Sequence, residues 1–313
     1  MLRYAILAPS THNSQPWLFH IHNDELELYA DRTRALRTID PDDRELIMSC
    51  GAALFHLRAA MRHFAYQPEI KTFPDLADPD LLARVRLGGG REASVEEQSL
   101  FEAIRKRRTN RQPFSDDPVP EALLVALQEA AQEEGAWLHI VALDEGRFQL
   151  ADLIAEGDRI QWANKRFRLE LAAWMHPSRN EHHDGIPSYA QEMHDLFSCA
   201  PPVVIRTFDL GEGQAAKDRD IALYSPVLAV LCTEADTPQA WLAAGQALDR
   251  VLLRARVEDL WASFLNQPIE VPELREKLRA VMPRPFFPQL LLRLGFGSDV
   301  RPTPRRNVEE VMI

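Results

Sequence analysis

Ala8-Pro9-Ser10-Thr11-His12-Asn13-Ser14-Gln15-Pro16-Trp17 packs two prolines, three hydroxyls, two side-chain amides and a tryptophan into ten positions. The prolines stiffen the backbone, and the short polar side chains can bond to neighbouring N–H and C=O groups. Two readings fit this composition. It is a rigid loop whose amides and backbone read the edge of a planar heterocycle, or an ordinary capped turn in which Ser10 or Thr11 stops the chain locally.

Outward from this loop the pattern alternates between strands and helices. Trp17–Ile21 and Leu26–Tyr29 read as a hairpin turning at 22–25. Asp40-Pro41-Asp42-Asp43 offers a cap and a proline start for a helix to about Phe64. A strand is expected over Leu81–Leu87, stopping at Gly88-Gly89-Gly90, and residues 91–99 read as a polar linker or surface turn. A second set begins with a helix over Leu100–Lys106, then a helix from Pro118 and Pro120 to about Glu133 and a strand at Trp137–Ala142. Residues 149–200 read as helical, broken by a turn-like stretch at His176–Pro187. A strand at Val227–Cys232, a helix from Pro238 to about Leu260 and an apolar strand at Leu290–Leu294 complete the set.

The two sets contain matching pieces in the same order, the mark of a duplicated unit. Gly51, Leu54 and Leu57 match Gly245, Leu248 and Val251. Arg86-Leu87-Gly88 matches Arg293-Leu294-Gly295, and Pro16-Trp17-Leu18-Phe19-His20-Ile21 matches Ala136-Trp137-Leu138-His139-Ile140. Tryptophan and glycine are 34 residues apart in the first copy and 108 in the second, so the second carries about 74 additional residues.

The chain has 313 residues and a net charge of −11, with 47 acidic against 36 basic side chains. That balance excludes an overall basic footprint for nucleic acid and leaves any anion to a local arginine cluster. No apolar run reaches the ~18–20 residues that span a bilayer, and Met1-Leu2-Arg3-Tyr4 opens no export signal. Cys50, Cys199 and Cys232 are few, distant and without paired spacing, which argues against a disulfide framework or a zinc site and fits a cytoplasmic protein.

Arg107-Arg108-Thr109-Asn110-Arg111 reverses the prevailing sign. Three guanidinium forks and a hydroxyl in five residues form a phosphate-sized clamp; alternatively, arginines at a helix end complement its dipole. The acidic background favours the clamp. The tail from Arg301 through Arg305-Arg306 to Val311 either adds a cation to the same anion or is a solvated end. His176, His182, His183 and His194 match no metal-ligand spacing, and a solvated or lid-like segment is the favoured reading. No nucleophile elbow, P-loop or dinucleotide fingerprint follows a strand, and no Asp/Glu pair is distinguished by its surroundings.

The loop Ala8–Trp17 resembles the "APSSxNxQPW" loop of the FMN-dependent nitroreductase family. Arg107–Arg111 resembles that family's "RRSxR/K" motif, and Arg305-Arg306-Asn307-Val308-Glu309-Glu310-Val311 its closing "R-x-P-L-E-E-V". Together the likeness covers nearly the whole chain outside the insertion, and it is greatest to the duplicated Acg-like branch. The resemblance implies an α+β nitroreductase-like fold in two tandem copies, 1–99 and 100–313, forming a pseudo-dimer with a helical, lid-like insertion at about 149–222. Family members are homodimers whose basic motif and loop come from different subunits. Here the loop precedes the motif and each copy supplies one part, which implies one surviving flavin site.

By that resemblance Arg107, Arg108, Thr109, Arg111 and Arg305 hold the FMN phosphate and ribityl chain, with Arg111 nearest the N1/C2 side. Pro9, Ser10, Thr11, Asn13 and Gln15 border the ring system, and Leu265, within Ser263–Gln267, lies near N5. No side chain is expected to be catalytic and no metal is expected, because the cofactor carries the chemistry. The implied activity is ping-pong reduction of a nitroaromatic, quinone or related small acceptor by NAD(P)H. The alternative is a non-catalytic FMN-binding or sequestering protein whose insertion covers the flavin. No nucleic-acid or membrane partner is implied, and the pseudo-dimer stands alone or pairs further.

Overall fold

In the computed structural model, residues 1–141, 145–176, 182–190, 201–207 and 209–313 are described. The hairpin after Trp17 forms as expected: β1 (Trp17–His22) pairs antiparallel with β2 (Glu25–Ala30), Trp17 lying opposite Ala30. Trp17, Phe19 and Leu28 point inward and are fully buried. Helix α1 (Arg44–His63) follows. Its expected cap at Asp40-Pro41 is displaced. The helix starts behind Asp43, which adopts a left-handed φ of 57°, while the Asp40 carboxylate accepts from Leu46 N at 2.9 Å. Asp40 therefore satisfies a first-turn N–H from outside the helix. Of α1 only Arg58 and His63 escape burial, as suits a helix surrounded by protein.

β3 (Tyr66–Thr72) had no counterpart in the sequence reading, because it is a polar, mostly exposed edge strand. It pairs with β4 (Leu81–Gly90), which continues through the glycines instead of stopping at them. At Gly88 a β-carbon would lie 2.7 Å from Gln67 O, beside the register shift between Tyr66 and Pro68. The glycine admits that close approach. The linker expected at 91–99 is partly helical. Helix α2 (Val95–Ala103) begins on a capping box, Ser94 Oγ accepting from Glu97 N and the Glu97 carboxylate accepting from Ser94 N. The helix expected at Leu100–Lys106 thus begins earlier and ends at Ala103.

α3 (Glu121–Glu133) forms where expected, and β5 (Trp137–Ile140) ends short of Ala142, which lies outside the described residues. The region expected to be helical divides into α4 (Glu145–Ala163), α5 (Lys165–Ala173) and α6 (Gly211–Tyr224), with two-residue strands Met175–His176 and Ile186–Pro187 in parallel pairing. His194 and Cys199 lie outside the described residues. Then come β6 (Val227–Thr233), α7 (Pro238–Val257), the short β7 (Trp261–Phe264), α8 (Pro272–Val281) and β8 (Phe287–Gly295).

The strands form two four-stranded antiparallel sheets, β1-β2-β4-β3 and β5-β6-β8-β7, in the same first-second-fourth-third order. Each has one long helix between its second and third strands, α1 and α7, and these two helices pack on each other at the centre. Their contact is reciprocal. A β-carbon on Gly51 would collide with the carbonyl oxygen of Leu242, three residues before Gly245; one on Gly245 would collide with that of Met48, three residues before Gly51. The paired glycines of the sequence alignment mark this crossing.

The ends of the chain cross over. The C-terminus returns to the first sheet, where Met312 bridges Phe19 and Ile313 N donates to Phe19 O at 3.0 Å. Thr109 bridges Ala262 at the edge of the second sheet, and Asn110 N donates to Ala262 O at 3.0 Å. These crossings bring residues 8–15, 107–111 and 303–306 together.

Candidate functional site

A cavity of about 1390 Å³ lies where the two sheet units and the helices after β5 meet. The loop at 8–15 enters it in a constrained form: His12, Asn13 and Gln15 all take positive φ, between 51° and 54°. Asparagine tolerates this region, whereas His12 and Gln15 need surrounding contacts to hold them there. Those contacts are present. Ser10 Oγ accepts from Gln15 N at 2.9 Å, and Thr11 Oγ1 donates to Glu45 Oε2 at 2.6 Å. Asn13 Nδ2 donates to Gly185 O at 3.0 Å and Pro304 O at 3.1 Å. Pro9, Ser10, Thr11 and Asn13 all line the cavity.

Gln15 does not. It is fully buried behind the loop, donating to His183 O at 2.8 Å and accepting from Arg306 N at 2.8 Å. It ties the loop to the insertion and the tail.

Arg107, Thr109 and Arg111 reach the cavity wall, and Arg305 joins them from the tail. Arg305 Nη1 donates to Asn13 Oδ1 at 2.8 Å and Thr303 Oγ1 at 2.6 Å, and Arg107 Nη2 donates to Leu7 O at 3.3 Å. The Nε atoms of Arg107 and Arg305 are buried without a partner. Burial and then Arg107 push the Arg305 guanidinium down to about 9, and burial lowers Arg107 and Arg111 as well. Two guanidinium groups on one wall, each with an unpartnered buried Nε, suit a multiply charged anion. Arg108 turns away. It pairs with Asp299 at 2.8 Å and is not among the residues lining the main cavity.

Ser263 to Gln267, with Leu265 in the middle, continue the wall at the end of β7. His12 also lines it and is pushed down to about 4, chiefly by burial and then by Arg111. The imidazole is therefore neutral near pH 7.

The remaining wall is one the sequence did not disclose. Asp158 and Trp162 on α4, Phe167 on α5 and Asp218 on α6 face the cavity. Gln267 Nε2 bridges the two carboxyls, at 3.2 Å from Asp158 Oδ1 and 2.8 Å from Asp218 Oδ2. Burial, then Asp218, pushes Asp158 up to about 8; burial likewise raises Asp218. Glu45 and Glu270 form a second buried acidic pair on the wall, both raised by desolvation. Gln161 Nε2 donates to Glu270 Oε2 at 2.6 Å. These acids are separated by 60 residues or more in each pair, so no local motif announces them.

Two histidines meet outside this cavity. His176 and His182 stack at 4.1 Å beside Asp184, which is paired with Arg34. The thiols of Cys50 and Cys232 are both buried, and no helix among the described residues is long and apolar enough to cross a membrane.

No family model matches the chain. Rv3131 of Mycobacterium tuberculosis, which carries the provisional name of an NAD(P)H nitroreductase, is 32% identical over 323 residues, covering all of this chain and 90% of that protein. Rv3127 of the same organism, an uncharacterised protein, is 30% identical over 328 residues, covering all of this chain and 92% of its own length. Acg, named provisionally in the same way as Rv3131, is 28% identical over 317 residues, 99% of this chain and 93% of that protein. Among solved structures, the FMN- and NADPH-dependent nitroreductase NfnB of Sphigopyxis sp. strain HMH is 19% identical with a TM-score of 0.43, covering 68% of this chain and 96% of that one. A nitroreductase with bound FMN from Bacteroides fragilis is 15% identical with a TM-score of 0.37, covering 64% and 88%.

Proposed function

The chain belongs to the NAD(P)H nitroreductase family, and from that premise we propose that it is an FMN-dependent oxidoreductase with a single flavin site. The observation that carries this reading is the convergence of Arg107, Arg111 and Arg305 with the loop Pro9–Asn13 and Leu265 around one cavity. In this reading the units are 1–99 and 100–313, with about 149–222 inserted in the second. The matching strand orders and the reciprocal contact of Gly51 and Gly245 support it.

The donor set fits FMN. The unpartnered Nε atoms of Arg107 and Arg305 and the depression of Arg305 by the Arg107 charge call for an anion such as the FMN phosphate. Thr303 and Asn13 already bond Arg305 and so hold its fork in place before any ligand enters. Arg111, half-buried on the same wall, supplies a cation suited to a reduced, anionic ring. The positive-φ segment His12–Gln15 presents the loop to a flat ring in a shape fixed in advance. Bound FMN supplies hydride chemistry between NAD(P)H and a nitroaromatic, quinone or related acceptor. The residues around it orient both partners and keep water out.

A second reading has a specific observation behind it: Trp162, Phe167 and α6 wall the cavity. A flavin held beneath them would be bound but shielded from nicotinamide, as in a storage protein. The visible spectrum of the purified protein, before and after anaerobic NADPH, separates the two. Bleaching of the flavin supports the oxidoreductase. A yellow protein untouched by NADH and NADPH supports storage, and a colourless one that does not take up FMN overturns both.

A further inference from the structure

We propose that Asp158 and Asp218, bridged by Gln267, are the proton donor to the electron acceptor, with Asp158 the catalytic residue and Gln267 a positioning one. This rests on the flavin reading above and adds a role for the inserted helices. Asp158 is 2% exposed, lines the cavity and leaves Oδ2 without a hydrogen-bond partner. Its position is fixed by backbone contact. A β-carbon on the preceding Gly157 would lie 2.7 Å from Gln267 Cβ, so α4 is pressed directly onto the segment that follows Leu265. The pair is thereby held against Gln267, two residues from Leu265, in the stretch assigned to the reactive edge of the ring.

The surroundings favour a shared proton. Asp158 faces Asp218, Gln267 and Arg159. Asp218 adds Gln214, Lys217 and Arg293 on its side, with Arg111 also within its field. Burial outweighs these cations, and two adjacent carboxyls resist double ionisation. Asp158, pushed up to about 8, keeps its proton at neutral pH.

The step balances as follows for a quinone. Reduction to the quinol takes two electrons and two protons. The electron pair and one proton derive from the nicotinamide donor as a hydride equivalent. The second proton leaves the Asp158 carboxyl as the C=O π bond gives way to an O–H bond. The carboxylate so formed accepts from Gln267 Nε2, and solvent restores the proton through Asp218. Without such a donor the acceptor would develop an unpaired charge beside buried carboxyls, which is costly. The geometry thus selects acceptors that bear an oxygen able to take up a proton.

The experiment uses the full chain loaded with FMN, reduced anaerobically with dithionite so that nicotinamide is bypassed, and reoxidised by menadione in a stopped-flow instrument. Asp158→Asn should slow reoxidation about 100-fold at neutral pH and abolish the wild-type fall in rate through about pH 8. Ferricyanide, which takes electrons without protons, should reoxidise both proteins equally. Equal rates with menadione overturn the proposal while leaving the flavin reading intact; a chain that binds no flavin overturns both.

A second readout needs no flavin. A carboxyl whose folded pKa is raised contributes stability below its unfolded pKa that is lost as pH rises through the folded value. The urea midpoint of the apo wild type should therefore fall through about pH 8, and that of apo Asp158→Asn should not. Identical pH profiles overturn the proposal. If Asp158→Asn does not fold, Asp218→Asn replaces it: menadione reoxidation should slow and the pH at which the rate falls should drop. Wild-type behaviour of Asp218→Asn overturns the shared proton.

Discussion

Gly51 and Gly245 occupy equivalent places at the crossing of α1 and α7, each filled from the other helix by the carbonyl three residues before its partner glycine. Two helices meeting this closely need residues without side chains at the contact. Gly245→Ala would gain about 1 kcal/mol of helix propensity and lose more to the collision with Met48 O. A net loss of about 2 kcal/mol is expected in urea unfolding, and similarly for Gly51→Ala. Unchanged midpoints would remove the crossing from the account of the fold.

Arg107→Ala and Arg305→Ala should each weaken FMN binding about 10- to 100-fold, the worth of a charge-assisted bond to phosphate. Flavin fluorescence titration measures this. The apo proteins carry the contrasting prediction. Because burial and then Arg107 depress the Arg305 guanidinium, the apo Arg305→Ala chain should be at least as stable as the apo wild type. Unaltered flavin affinity in both variants would count against the assignment.

The first turn of α2 makes a pH prediction. Glu97 is pushed down to about 2 by Arg62, Ser94 N and Arg91, which outweigh its desolvation. Its contribution is present above the unfolded carboxyl pKa and is lost as pH falls through about 2. Glu97→Gln should cost about 1–2 kcal/mol at neutral pH. That difference should close in acid denaturation series as the wild-type carboxylate protonates.

His56 Nε2 and Asp249 Oδ2 lie 2.7 Å apart with both side chains fully buried, one from each central helix. Asp249→Ala should cost about 3–5 kcal/mol by leaving its partner unpaired. The double change with His56→Ala should cost less than the two single changes combined. A strictly additive double-mutant cycle would show that the pair is not coupled.

The parts of the site built from contiguous residues were legible in the sequence. The loop at 8–17, the arginine cluster at 107–111 and the tail at 305–311 each combine several polar groups in a short window, and all three come together. Gly51 and Gly245 were legible because a repeat compares one part of the chain with another. Edge strands β3 and β7 were not, being respectively polar and four residues long. The start of α2 was available in the Ser94–Glu97 capping box and was obscured by the polar composition of 91–99. Asp158 and Asp218 had no local signal, since their environment is made by helices from separate parts of the chain.

The tail also sets an order of events during synthesis. The loop at 8–15 leaves the ribosome well before Arg305, which bonds Asn13 Oδ1 from 292 residues further along the chain. Earlier segments fold first as a chain emerges, so the earlier unit must wait, with its strained loop uncovered, until residues 303–306 have followed. Closure of the cavity wall by Arg305 is then a late step of folding. A chain cut before Thr303 would retain both sheets and both central helices yet leave the cradle open on one side.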